Sequence, residues 1–193
     1  MFILRQRWIA NTDGSTTIEF VTIFLALIAV IFFVLEMTLY MFFMATLEKA
    51  AQAGVRTAVV SEPVVYSAEF DEKRRNAKVS SGIFGISCSH GSSPCVDYGT
   101  IECTGSDECV EGDFARILVH IQRISGQVKE DNVTIRYQNV GLGYAGGPVI
   151  PLVSVSISGV QYQTGIFGLL IKNTGVLDTL PSRSASMTGE DLN

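Results

Sequence analysis

No G-x-S-x-G elbow, Walker A loop or H-E-x-x-H pair occurs in this sequence, so the common hydrolase, nucleotide and zinc-protease chemistries have no motif to rest on. Histidine is scarce: His90 and His120 are the only two in 193 residues, which makes a catalytic triad a poor reading. Basic residues are outnumbered, 14 Lys and Arg against 19 Asp and Glu, for a formal net charge of −5. A nucleic-acid partner is therefore excluded, because no basic patch is available to displace phosphate counterions. The acidic pairs Asp107-Glu108 and Glu111/Asp113 read as solvated loop charges. Gly141-Leu-Gly143-Tyr-Ala-Gly146 has the G-x-G-x-x-G form, but Gly147, Pro148 and Pro151 forbid the helix that should follow it, so it reads as a loop between strands. The sequence implies no enzyme, cofactor, metal or small-molecule substrate.

Two further absences lie together. No proline precedes Pro63, and no charge, proline or glycine interrupts Phe20 to Leu35. Glu36 follows, and then a second uncharged stretch, Met37 to Leu47. About 20 apolar residues cross a bilayer, and this region supplies more. It also outruns the apolar core of a cleaved signal, about 7–15 residues, although Ala51-Gln52-Ala53 has the small-x-small form of a signal peptidase site. Arg5 and Arg7 ahead of the span favour a cytoplasmic N-terminus, with Lys49 and Arg56 on the far side diluted by Glu48 and a helical extension. Glu36, close to the outer edge of the hydrocarbon, has two readings: a protonated or interface-seeking carboxyl, or a helix–helix contact within an assembly.

Ahead of the apolar run stands Asp13-Gly14-Ser15-Thr16-Thr17-Ile18-Glu19-Phe20. It resembles the processing site of type IV prepilins and pseudopilins, which implies a cut after Gly14, Ser15 as the new N-terminus and Glu19 as the fifth mature residue. A carboxylate there suits the positive end of the helix dipole. The same glycine and serine could instead simply cap the helix. From Gly14 through Phe20 to Ala50-Ala51-Gln-Ala-Gly54-Val-Arg56-Thr-Ala58, the chain resembles the TadE-like family, with Ser15-Thr16 where alanine is usual. The ending from Pro181 to Leu192 also resembles that family. The resemblance implies a minor pseudopilin of the tight-adherence (Flp) pilus, matured by a prepilin peptidase. It would work in the inner membrane with other pseudopilins and assembly-platform proteins, and its C-terminal domain would be periplasmic.

The expected organisation is a prepilin-type leader over 1–14, a transmembrane helix with an extracytoplasmic extension over 15–60, and an extracytoplasmic cysteine-containing domain over 61–193. After the span, Leu47, Ala50, Ala51, Gly54, Val55 and Ala58 fall on one helical face, suited either to the chain's own sheet or to a second subunit. Glu69 to Ser80 reads as a charged helix or connector. Alternation over Ala115–Ile121, Val133–Tyr137 and Val153–Ile157 predicts three half-buried antiparallel strands, with a bulge near Gly159. The fold class is α+β and pilin-like: a long membrane-anchored helix and a twisted antiparallel sheet of three to five strands. Cys88, Cys95, Cys103 and Cys109 lie in one Gly- and Ser-rich stretch. Outside the cytoplasm they predict two disulfides, local pairs first, among three possible connectivities. Zinc held by these thiols and His90 is the other option, though C-x-x-C spacing is missing. A signal-anchored periplasmic binding or redox module is the alternative to the pilus reading.

Overall fold

The computed structural model describes residues 15–65, 70, 84–89, 95, 97–105, 109–147, 149–162 and 179–189. Helix α1, Ser15–Val60, is continuous. Strand β1 (Thr100–Thr104), helix α2 (Glu111–Ile124), a short 3-10 turn (Glu130–Asn132), and strands β2 (Val133–Gly143), β3 (Val149–Ile157) and β4 (Arg183–Thr188) follow. The strands form one antiparallel sheet in the order β1-β2-β3-β4, an α+β arrangement preceded by a long apolar helix. Two compact units divide at Phe43. Gly14, Glu69, the stretch from residue 71 to Ser80 and His90 lie outside the described residues.

Up to Phe42, most apolar side chains of α1 are exposed: Phe20 is 67%, Ile23 70% and Phe42 63% exposed. This helix is long and apolar enough to cross a membrane. Two of its hydroxyls are satisfied within the helix, Thr22 donating to the Ile18 carbonyl (2.6 Å) and Thr38 to that of Val34 (2.8 Å). Neither therefore needs water, which is the condition for a polar side chain on a helix in hydrocarbon.

The second unit begins with the remainder of α1. Met44, Leu47, Ala50, Ala51, Gly54, Val55, Ala58 and Val59 are buried, while Glu48, Lys49, Gln52 and Arg56 are exposed. The spacing of the buried set is that of one helical face. Gly54 sits where this face meets both α2 and the sheet: a Cβ added there would lie 2.8 Å from Ile121 Cδ1 and 3.3 Å from Val155 Cγ1. Any side chain at position 54 would displace Ile121.

Residues Ala115–Ile121 are helical, contrary to the alternation that predicts a strand. The buried residues are Phe114, Ile117, Leu118 and Ile121, spaced i, i+3, i+4, i+7, whereas Ala115 is exposed and Val119 47% exposed. The period of 3.6 governs this segment, and Ile121 on its buried face meets α1 at Gly54. The odd-position alternation passes over Phe114 and Leu118, the residues that disclose the helix.

The other two predicted strands are present as β2 and β3, with Val133, Ile135, Tyr137, Val153, Val155 and Ile157 all buried. Gly159 is not a bulge inside a strand: β3 has ended at Ile157, and Gly159 turns the chain with φ +69°. The irregularity lies in β2 instead, between Asn139 and Leu142. Of the G-x-G-x-x-G residues, Gly141 and Gly143 belong to β2 and Gly146 to the turn before β3. No helix follows, so the motif has no phosphate-binding geometry.

Candidate functional site

The residues expected to carry function fall into three groups, and the structure does not gather them into one cavity. Ser15 opens α1 and Glu19 stands exposed one turn later. Glu36 is half-buried within the apolar half of the helix. It lies 17 residues beyond Glu19, about 26 Å along the axis at the α-helical rise.

The second group is the small-residue face. Ala50, Ala51 and Ala58 have no exposed surface, and Gly54 is buried with them. At Gly54 this face meets Ile121 of the chain's own α2 and Val155 of β3. Small side chains let the helix axis come close to the sheet, and close approach brings Ile121 and Val155 into contact across it. Exposed Glu48, Lys49, Gln52 and Arg56 remain on the opposite side.

The third group is the cysteines. Cys88 is joined to Cys95 and Cys103 to Cys109, both as disulfides. No thiolate is left for zinc, and no cluster of His, Cys, Asp and Glu suited to a metal occurs among the described residues. Sulfur access is also poor: Cys88, Cys103 and Cys109 are 5%, 2% and 1% exposed. Thiol–disulfide exchange needs a reachable sulfur, so the Cys103–Cys109 bridge, buried at both ends, is placed to brace rather than to react, while Cys95 of the other bridge is half-buried.

What they brace can be followed bond by bond. Cys103 is the buried, penultimate residue of β1, and Cys109 lies just before α2. Beside Cys109 runs the segment that leaves α1: Val65 pairs with Cys109, and Val110 N–H donates to the Val64 carbonyl at 2.7 Å. The Val64 N–H in turn donates to the hydroxyl of fully buried Tyr137 at 3.3 Å. Phe70 closes the cluster against Tyr98 and Tyr137, with ring centroids 5.1 and 5.5 Å away. The exit of α1, the start of α2 and two strands are therefore locked at one knot.

The Cys88–Cys95 bridge serves the far end of the β2–β3 hairpin. Cys88 N–H donates to Gly143 O (3.1 Å), Ala145 N–H to Ile86 O (2.8 Å), and Ser87 pairs with Tyr144. Nearby, Asp97 Oδ1 accepts from Gly99 N–H (2.8 Å) and Asn139 Nδ2 (2.9 Å), and Asn139 Oδ1 accepts from Gly141 N–H (3.0 Å). The Gly99 and Asn139 bonds hold the Asp97 carboxyl below its usual range. This network pins the β2 irregularity. Asn139 gave no sign of such a role in the sequence, since its partner lies 42 positions away.

His120 is half-buried on α2 rather than on a strand. On the outer sheet face, Arg136 pairs with Glu102 across β1 and β2 at 2.7 Å, which only the strand register could reveal.

The family model described as TadE-like protein matches residues 14–56. No curated protein matches the chain. No solved structure matches it.

Proposed function

The chain is TadE-like over residues 14–56, and from that premise we propose that it is a minor pseudopilin taking part in assembly of the tight-adherence (Flp) pilus, without catalysis of its own. The observation that carries the reading is the division of one continuous helix into a bare apolar half and a half packed under a disulfide-braced domain. Such a division suits a helix held in a membrane at one end and in a folded domain at the other.

In this reading a prepilin peptidase cuts after Gly14 and removes a leader over 1–14. Ser15 becomes the N-terminus, and Glu19 faces the terminal ammonium of a neighbouring subunit. Residues 15–60 form the membrane helix and its extension, and 61–193 the periplasmic domain. Arg5 and Arg7 hold the N-terminus in the cytoplasm, and the two disulfides accord with an oxidising compartment on the other side. Glu36 supplies a helix–helix contact inside the assembly, with other pseudopilins and the assembly platform as partners.

The deciding experiment is intact-mass and N-terminal analysis of the membrane-extracted protein from cells with and without the peptidase. The expected species starts at Ser15 when the peptidase is present and retains the leader when it is absent. An uncut leader in peptidase-containing cells would overturn the reading.

A further inference from the structure

The covered side of α1 does not stop at Phe43. From residue 17 to Phe42 every residue of the helix is exposed except Ile28, Glu36 and Tyr40, which are half-buried. Glu36 precedes Gly54 by about five full turns, so it stands on the same line of the helix as Gly54. Tyr40, Phe43 and Leu47 fall within about 40° of that line. Glu36 Oε1 is buried, and Glu36 and Tyr40 each make an interaction within the chain. Leu35, Met37 and Leu39, beside and between them, are exposed. Cover is therefore confined to one stripe, about two turns long, on a helix otherwise open to its surroundings.

The chain that follows β3 arrives at the end of this stripe. Tyr162 sets its ring edge-on against Phe43, with centroids 5.3 Å apart. Next to it Gln161 pairs with Thr179, and Leu180 N–H donates to the Val160 carbonyl at 2.9 Å. Residues 163–178, which lie outside the described residues, thus leave and re-enter the domain at one point beside Phe43. Their sequence opens with Gln163 and Thr164, runs through Gly165-Ile-Phe-Gly-Leu-Leu-Ile171 without a charge, and then reaches Lys172.

Charge and reach both favour this segment as the cover. Lys172 is the only basic residue between Arg136 and Arg183, and Glu36 the only acid between Glu19 and Glu48. From Phe43 back to Glu36 is about 10 Å along the helix axis. The shorter leg, from Thr179 back to Lys172, can span about 23 Å when extended, so Lys172 reaches Glu36 from either anchor. A carboxylate among hydrocarbon is costly unless an opposite charge accompanies it, and an apolar run is what can carry a lysine to that depth. In water the same run would expose a contiguous apolar patch.

We propose that residues 163–178 lie along the stripe of α1 that carries Glu36 and Tyr40, with the run 165–171 against the helix and Lys172 ion-paired with Glu36. The occupant of the stripe is this chain's own segment, not a second copy. The medium around it rests on the membrane placement proposed above; the contact itself does not. A neutralised carboxylate is also what a helix–helix contact at this depth requires, so Lys172 belongs to the assembly contact proposed for Glu36 rather than competing with it.

The test is thiol crosslinking of the full-length chain in isolated membranes. All four native cysteines are held in disulfides, so an introduced pair supplies the reactive thiols. Tyr40→Cys with Ile171→Cys leaves both charges in place, and a short bifunctional thiol reagent is expected to join the two within one chain. Thr38→Cys, on the opposite side of the helix, with Ile171→Cys is expected to give at least fivefold less product. Adding Glu36→Gln to the Tyr40 pair is expected to lower the yield at least fivefold, and exchanging the charges by Glu36→Lys with Lys172→Glu to restore it. Peptide mapping of the native disulfides checks that each variant is folded. Equal yield from Thr38, no product from Tyr40, a yield indifferent to Glu36→Gln, or an exchange that restores nothing overturns the proposal. So does product formed between differently tagged copies instead of within one, which would assign the stripe to a second copy. Leader cleavage plays no part in this assay. Absence of the crosslink with Ser15 at the mature N-terminus would sink the contact and leave the pilus reading standing; an uncut leader with a strong crosslink would do the reverse.

Discussion

The two halves of α1 share one backbone and meet two different demands. Before Phe43 the helix carries large apolar side chains on nearly all sides and leaves them bare; beyond it, one face of alanines and a glycine is buried and the rest is charged or polar. Large side chains all round suit a medium that solvates hydrocarbon from every direction. Small ones on a single face suit a protein partner that approaches on one side to within contact distance of the backbone. The change from Phe, Leu and Ile to Ala and Gly marks where one environment gives way to the other.

That contrast can be broken most forcefully on its bare side. Leu27→Arg with Ile31→Arg places two cations in the apolar half, each disfavoured by about 3 kcal/mol at a bilayer centre. The double variant is expected to leave the carbonate-resistant membrane fraction while its domain keeps both disulfides, read by fractionation and thiol labelling. Retention in the membrane would mean that this half does not need an apolar surround.

On the packed side, Gly54→Leu is expected to destabilise the domain by about 3 kcal/mol through overpacking against Ile121 and Val155. Denaturant unfolding of the domain would show this loss, with membrane association unchanged. The gentler Gly54→Ala sharpens the contrast. Better helix propensity offsets part of the clash, so a net loss of about 1 kcal/mol is expected. A gain in stability would show that α1 has room to spare at this point.

Replacing Cys103 and Cys109 together by serine releases the knot that holds the segment leaving α1 at Val64 and Val65. Loop-closure entropy alone puts the loss at about 2–3 kcal/mol, and chymotryptic cleavage after Tyr66, beside Val64 and Val65, is expected to rise in parallel. An unchanged digestion pattern would deny the bridge that role.

The smallest effect concerns Asp97. Its folded-state pKa is lowered, chiefly by the Gly99 N–H and then by Asn139. The folded form therefore binds a proton less readily than the unfolded chain, and the stabilisation is present above the unfolded value of about 3.9. It is lost as pH falls through the lower folded value. Denaturation midpoints measured from pH 6 to 2 are expected to drop slightly more for the native chain than for Asp97→Asn. Parallel curves would remove Asp97 from the account.

Legibility of the fold from sequence varied with the distance over which each feature is defined. The apolar segment and the small-residue face are local patterns, and so are β2 and β3, whose alternation survives because one sheet face is buried and the other is polar. Helix α2 was misread because Ala115, Ile117, Val119 and Ile121 alternate by chance, while Phe114 and Leu118 hold the helical period. Strands β1 and β4 gave no run of apolar residues to notice: β4 shows only Ala185 and Met187 among serines and threonines, and β1 lies within the cysteine-rich stretch. Glu19 and Glu36 were legible as positions along a helix. The Asp97–Asn139 network and the Arg136–Glu102 pair were not, since each joins residues more than thirty positions apart.

By itself the sequence determined that an apolar helix long enough to span a membrane leads into an α+β domain, because helical length and period-2 burial are properties of neighbouring residues. Only the tertiary structure decided that the alanine–glycine face is covered by Ile121 and Val155 and that the cysteines close as 88–95 and 103–109. Those outcomes depend on which distant segments come together, and that choice is made by the packing of the whole core.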